Sequence, residues 1–499
     1  MKPNLFNSIK LQRPKKNVFD LTHDVKLSAE MGNLTPILTL ECVPGDKFEL
    51  GCESLIRFAP MIAPVMHRMD VSMHYFFVPN RILWQNWEKF ITGNDEVVPP
   101  TITTRTDIQN ASQKKFLDYL GVPPNNTFNS QPISALPIAA YQCIYNEYYR
   151  DQNLIAPVNY KLTDGNNTSN QDDLLELRKR AWEHDYFTAS LPFAQKGAAV
   201  DIPLGTITTP YNKIEGTGGV DVAQVGGGSY DVNAAPSPLT NGLYAPQVTA
   251  EVEPTTINDL RRAFRLQEWL EKNARGGTRY IESILTHFGV KSSDKRLQRP
   301  EYITGVKSPV VISEIVNTTG QDGGLAQGNM AGHGISVTSG RSGSYYCEEH
   351  GYIIGVMSVM PKTCYQQGIP KTFLKNDNLD YFWPSFAHIG EQAVTNNEIY
   401  AYTTDSNDTF GYVPRYAEYK YMPSRVAGEF RDDLNFWHLG RIFDSAPALS
   451  GEFVSCTPTK RIFAVLEGPG SEATDSLYCH VLNKIKAVRP MPKFGTPMF

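Results

Sequence analysis

The chain has 499 residues, of which 41% are hydrophobic and 20% charged, with 38 Gly, 34 Pro, 25 Tyr and 24 Phe. Those fractions exclude a disordered or low-complexity protein, and the length exceeds one ordinary core and suggests two or three domains, although β folds with large loop insertions break that rule. No run of about 18 apolar residues predicts a membrane span, and the first residues, MKPNLFNSIKLQRPKK, hold no apolar stretch of secretory length.

Charge is uneven along the chain. Residues 1–19 hold Lys2, Lys10, Arg13, Lys15 and Lys16 without an acid, and residues 476–499 hold Lys484, Lys486, Arg489 and Lys493 without an acid. The two ends carry nine positive charges, so a net charge of −5 leaves −14 on residues 20–475. Basic ends on an acidic body suit a container for nucleic acid if both ends face inward; two solvated tails are the plainer alternative on charge alone. The seven Cys, at 42, 52, 143, 347, 364, 456 and 479, are odd in number and form no CxxC pair, which fits reduced thiols.

Strand signals come first. Residues 35–43 and 47–58 flank the turn cluster Pro44-Gly45-Asp46. Over 70–78, Val71, Met73, Tyr75 and Phe77 fall on one face and Asp70, Ser72 and His74 on the other, which predicts one buried face and one facing solvent or a neighbour.

Helical spacing follows at 82–91, at 134–150 with Pro137 in its first turn, and at 172–182, where acids lead and bases close the segment. Residues 205–252 are rich in Gly, Thr, Ser, Asn and Pro and too poor in large apolar residues for a core of their own. Short Thr/Val/Tyr runs between turns there predict a small β-rich knob. Thr256 to Asp259 reads as a capping box opening a helix to about Asn273, with Ile257, Leu260, Phe264 and Leu270 inward and Gly276-Gly277 as the stop. A second helix over 278–288 places Ile281, Ile284, Leu285 and Phe288 on one face. Residues 320–343 are glycine-rich and read as a loop, 350–360 as a central strand, and 451–467 and 476–488 as strands. Strands at both ends with helices and long loops between them predict a mainly β fold, a sandwich of two antiparallel sheets with expanded connections.

No phosphate loop, HExxH, nucleophile elbow or dinucleotide fingerprint is present. The ten His are dispersed; His67 and His74 read as packing residues, and His388 and His438 as hydrogen-bonding groups in aromatic blocks. Glu348-Glu349 and Asp432-Asp433 are the candidates for a structural divalent cation between subunits, although paired acids are usually just solvated. The basic run Arg261, Arg262, Arg265, Lys272, Arg275 and Arg279 suits pairing with carboxylates of a neighbouring subunit, or a solvated face balanced by Asp259, Glu268 and Glu271. Residues 381–431 are packed with aromatics, Pro, Gly and both signs of charge and show no regular period. That composition anchors protein interfaces, with Trp383, His388, Tyr412, Arg415, Tyr416 and Arg425 as the candidate contacts.

The same segment carries a resemblance. WPxxAHIGEQAVxNxEIY followed by FGYxxRYAEYxYxPSRxxGxFR resembles the major capsid proteins of microviruses, small icosahedral single-stranded DNA bacteriophages, and among them the gokushovirus branch. Further blocks stand in the family's order: HYFFVPNRILWxNWExFITG at 74–93, ARGGTRYIESILTHFGV at 274–290, RLQRPEYI at 296–303, EHGYIIGVMSV at 349–359 and RPMPxFGTP at 489–497. Residues 205–252 carry no family wording. The resemblance implies an eight-stranded antiparallel jelly roll with long loop and helical insertions, residues 35–499, behind a basic, interior-facing arm, residues 1–34. It implies a virion subunit that self-assembles in the bacterial host cytoplasm into a T=1 shell around a circular single-stranded DNA genome, and no enzymatic activity or cofactor.

On that view Lys10, Arg13, Lys15, Lys16, Lys484, Lys486 and Arg489 are the candidate DNA contacts. Tyr211, Lys213, Tyr230 and Tyr244 of the exposed 205–252 insertion are the candidates for attachment to a host surface receptor. Implied partners are further capsid subunits, a minor DNA-pilot protein, a small basic DNA-binding peptide and an internal scaffolding protein. The alternative is a carbohydrate-binding or polysaccharide-cleaving β-sandwich of a phage, which the aromatic content also fits but for which no acid pair can be placed across a cleft.

Overall fold

Alternation of apolar and polar residues builds two antiparallel sheets. The computed structural model describes residues 14–93, 97–103, 110–123, 132–201, 256–316, 330–340, 343–464 and 475–494, with the backbone of a few short strands between 207 and 252. Eleven strands form the two main sheets: β1 (Asn17–Asp20), β2 (His23–Ala29), β3 (Thr35–Cys42), β4 (Lys47–Phe58), β5 (Met69–Pro79), β6 (Glu301–Pro309), β7 (Val311–Val316), β8 (Met330–Ser339), β9 (Gly343–Tyr346), β10 (Gly351–Pro361) and β11 (Leu477–Arg489). The seven-stranded sheet runs β1-β11-β4-β8-β7, with β2 also on β11 and β9 also on β4; the four-stranded sheet runs β6-β5-β10-β3. Residues 17–29 of the basic arm are thus strands paired with the last strand of the chain.

The sheets share one core. Phe48, Leu50, Ile56 and Phe58 of β4 and Leu477, Val481 and Ile485 of β11 pack with Val71, Met73, Tyr75 and Phe77 of β5 and Ile353, Met357 and Val359 of β10. A polar bridge crosses it: the Tyr75 hydroxyl donates to Asn483 Oδ1 at 2.9 Å, and Asn483 Nδ2 donates to the Ile37 carbonyl at 2.9 Å.

The outer face of the four-stranded sheet differs from expectation. It is covered by helical structure, so Phe76, Val78, Ile354 and Val356 pack with Leu136, Ala139, Ala140 and Tyr141 in a second core. Helix α1 (Ala111–Tyr119) opens with a capping box at Asn110 and Gln113, and α2 (Leu136–Ile144) takes Pro137 in its first turn and continues as a π turn over Tyr145–Tyr149.

Several segments depart from their sequence reading for physical reasons. The 82–91 helix is two turns, Asn80–Leu83 and Trp87–Ile91, split where buried Trp84 goes extended and its Nε1 donates to Asp164 at 2.7 Å. In 172–182 only Gln171–Leu174 is helical, because Leu174, Leu175 and Leu177 serve the helical core while Trp182 sits in a separate cluster beside Met360 and Cys456. The glycine-rich 320–343 reading hid β8: a Cβ on Gly332 would stand 2.4 Å from the Ala63 carbonyl oxygen and one on Gly334 3.0 Å from the Phe58 ring, so glycine is what lets this strand lie against its neighbours. Residues 451–464 hold a helical turn, Gly451–Val454, capped by Ser450, and no strand.

The chain divides into two units, residues 1–194 with 277–499, and 195–276. In the smaller unit, Thr256 caps helix α3 (Ile257–Arg275) by accepting from Asp259 N. Its expected inward face is not buried: Ile257 and Phe264 are exposed. Between 207 and 252 three short antiparallel pairings occur, 207–208 with 251–252, 215–216 with 220–221 and 223–225 with 229–231. In the larger unit, α4 (Tyr280–Phe288) ends at Gly289 in the left-handed region, and its Phe288 is exposed where an inward face was expected.

Candidate interaction surfaces

The irregular 381–431 segment is anchored from below. Its hairpin, Glu391–Thr395 with Thr409–Pro414, sits on a small core of Phe187, Tyr365, Val394, Phe410, Val413 and Phe453. Tyr416 is buried with φ of +62°, a conformation a bulky residue adopts only when its surroundings hold it. They do: Tyr416 N donates to Gln392 Oε1 at 3.0 Å, and its hydroxyl accepts from Trp383 N at 3.2 Å and donates to the Tyr381 carbonyl at 3.3 Å. Beside it Lys375 and Glu418 form an ion pair at 3.2 Å with both side chains nearly out of water, and the Lys375 ammonium lies 3.9 Å from the Tyr419 ring centre.

Above these supports the rings of Tyr381, Phe382, Trp383, Tyr419 and Tyr421 stand exposed in one ridge. Of the candidate contacts, Trp383, His388 and Arg425 are on the surface, and Tyr412 and Arg415 are half-buried. Arg415 donates to the Leu379 carbonyl at 3.2 Å, and Tyr416 is a strut beneath the ridge. Lys375, Gln392 and Glu418 had no sequence signal; nothing in their spacing separates them from solvated polar residues.

The basic ends lie differently. Lys10 and Arg13 fall outside the described residues; Lys15 and Lys16 are exposed, and Lys16 Nζ donates to the Gly45 carbonyl at 2.7 Å. Lys484 and Lys486 project from the exposed face of β11, where register with β4 sets Lys486 opposite Glu49, 3.9 Å away, and Lys484 opposite Gly51, from which it pairs diagonally with Glu53. Arg489 is structural in its contacts, 2.9 Å from the fully buried Asp46 carboxylate and donating to the Glu41 carbonyl at 3.0 Å.

Arg261, Arg262 and Arg265 are exposed on α3, with Arg265 2.6 Å from Glu268 one turn on. Tyr211, Lys213 and Tyr244 fall outside the described residues, and Tyr230 lies on the 229–231 strand. Glu348 pairs with Lys295 and Glu349 with Arg81, while Asp432 and Asp433 are exposed. Among the described residues no group of three metal-ligating side chains occurs, and no helix is long and apolar enough to cross a membrane. His67 Nε2 is 2.7 Å from the Lys362 carbonyl and His74 Nδ1 2.6 Å from the Tyr149 hydroxyl. Burial, with Arg180 and Lys307 nearby, pushes His74 down to about 4. All seven Cys are free and buried.

Comparison with known proteins agrees with the motif blocks. A family described as capsid protein (F protein) matches residues 7–499. Capsid protein VP1 of Bdellovibrio phage phiMH2K is 35% identical over 97% of this chain and 95% of its own length. The VP1 of Chlamydia phage 1 is 32% identical over 99% and 97%, and that of Spiroplasma virus 4 is 28% identical over 99% and 97%. These relatives are named as capsid proteins, and an exposed aromatic ridge is in keeping with that name. The chain belongs to the phage capsid protein (F protein) family.

Proposed function

We propose that this chain is the major subunit of a T=1 icosahedral shell around a circular single-stranded DNA genome. The observation that carries the reading is the Tyr381–Tyr421 ridge, a set of exposed rings held by buried polar struts on a chain of capsid ancestry. Rigid aromatic surface of this kind costs little side-chain entropy to bury and is what repeated subunit contacts of about 1,600 Å² use. Each contact can be modest, since closure couples them.

Strand order supports a jelly roll. With β1 and β2 taken as one strand and β7 and β9 as additions, eight strands remain, and in chain order they pair 1-8-3-6 in one sheet and 2-7-4-5 in the other. That is the interleaving two Greek keys produce. The arm and Lys484 and Lys486 then face the genome, the 205–252 insertion faces a host receptor, and the pilot protein, basic peptide and scaffolding protein act in the same particle, assembled in the host cytoplasm. Any divalent cation would draw carboxylates from two copies.

Expression of the full chain followed by electron microscopy tests the reading. Uniform closed particles are expected, and neutralising Lys10, Arg13, Lys15 and Lys16 lowers DNA content more than particle yield. With about five phosphate contacts per subunit, a fourfold rise in salt lowers the affinity for single-stranded DNA about a hundredfold. A chain that stays a monomer or trimer under all assembly conditions, or cleaves polysaccharide, sinks it.

A further inference from the structure

Among the described residues, the seven-stranded sheet ends on a strand paired along one side only. β7 pairs with β8 along one side, and among the described residues no strand pairs with its other side. Its sequence, Val311-Ile-Ser-Glu-Ile-Val316, holds one charge in six residues, and Val311 and Ile315 on its outer face are 60% and 50% exposed. The free N–H and C=O groups of such an edge are a template for another strand, and the usual shields (Lys, Pro or a bulge) are missing from it.

The strand is matched to itself. Antiparallel pairing about a two-fold axis perpendicular to the sheet keeps each face on its own side, so opposed residues must both be odd or both be even. Centring on Glu314 would set two carboxylates against each other. Centring on Ser313 instead opposes Val311 to Ile315 twice on the outer face and Ile312 to Glu314 twice on the inner one. Apolar cross-strand pairs stabilise and like charges destabilise, so of the two registers that pair most of this six-residue strand, charge selects the one centred on Ser313. Such a contact is isologous and closes on itself.

We propose that β7 pairs antiparallel with β7 of a second copy, centred on Ser313, joining two seven-stranded sheets across a two-fold axis. The proposal rests on the shell reading above and names one of its interfaces.

Ser313→Cys tests it. The seven native thiols are buried and Ser313 is exposed, so the new thiol is the accessible one. Directly opposed antiparallel residues stand about 4.5–5.5 Å apart at Cα, within disulfide reach. Shells of the full-length variant, mildly oxidised and run on a non-reducing gel, are expected to give mostly covalent dimer. Val337→Cys, exposed on β8 away from the edge, stays monomeric. Ile315→Lys, which places an ammonium against Val311 of the partner subunit, is expected to abolish shells while the far-ultraviolet circular dichroism stays unchanged. Ser313→Cys shells that remain monomeric on the gel, or Ile315→Lys assembling at the unmodified yield, overturn it; cover by residues 1–13 of the same chain would give that monomeric result. If even the unmodified chain makes no shells, the shell reading fails separately, and a soluble Ser313→Cys dimer still reports the β7 contact.

Discussion

Lys375 and Glu418 meet at 3.2 Å in a site almost closed to water, directly under the Tyr419 ring and 5.5 Å from the Tyr381 ring centre on the ammonium side. Removing one member of a buried pair leaves the other charge uncompensated, at a cost of about 3 kcal/mol. Glu418→Gln is therefore expected to lower the melting temperature and to loosen the ridge, seen as increased quenching of Trp383 fluorescence. The double variant Lys375→Met with Glu418→Leu recovers most of the stability. Equal stability of single and double variants would show that the pair is not coupled.

The same pair sets a pH window. Burial raises the Glu418 carboxyl, but hydrogen bonds from Gln392 and Lys375 outweigh it and leave it below its ordinary value. Burial lowers Lys375, but Tyr419 and Glu418 outweigh it and leave it above its ordinary value. A depressed carboxyl contributes stability above its unfolded pKa and loses it as pH falls through the folded one; a raised ammonium contributes below its unfolded pKa and loses it as pH rises through the folded one. Both contributions are thus present between the ordinary carboxylate and lysine ranges, about pH 5 to 10. Thermal melts across pH should show a plateau there that the double variant flattens at both ends.

Between the sheets, Tyr75 and Asn483 form the polar bridge described above, and Asn483 is fully buried. Tyr75→Phe leaves Asn483 Oδ1 without its donor and should cost about 1–3 kcal/mol. Chemical denaturation of the unassembled chain checks this: the midpoint falls while the denaturant slope is unchanged.

Five of the eleven strands, β3, β4, β5, β10 and β11, were legible in the sequence, most directly where alternation reports burial, as in β4, where Phe48, Leu50, Cys52, Ser54, Ile56 and Phe58 all point inward. The outer face of β5 was not, since only the fold brings α2 across it and turns Phe76 and Val78 into core. β8 was hidden for a different reason: its glycines read as loop, whereas they permit close approach. On the ridge, composition marked the segment but could not separate exposed Trp383 from buried Tyr416, because that depends on hydrogen bonds to Gln392 and Tyr381. The C-terminal basic residues were legible as charge, while their acidic partners became visible only through the β4–β11 register.

Gly332→Ala tests the account of β8. The added methyl would meet the Ala63 carbonyl oxygen and the Pro64 Cα, both backbone atoms that cannot rotate away. A loss of about 1–3 kcal/mol is expected, as for other overpacked sites, whereas Ser339→Ala on the exposed end of the same strand should leave the melting temperature nearly unchanged. Equal melting temperatures for the two variants would return β8 to a loosely held segment.

The pairing of Lys484 with Glu53 and of Lys486 with Glu49 makes a quantitative claim about nucleic acid. Phosphates must compete with these carboxylates for the two lysines, so the sheet face is held near neutrality. Replacing both with Gln frees two ammonium groups on an exposed surface at little cost, since exposed pairs contribute under about 1 kcal/mol each. Affinity of the unassembled chain for single-stranded DNA should rise, and the slope of log K against log salt should steepen by about 1.4, at roughly 0.7 per added phosphate contact. Lys484→Gln with Lys486→Gln in the same background should restore the shallower slope. If the slope does not move when the carboxylates go, these lysines do not meet the genome, and the basic character of the interior must come from the arm alone.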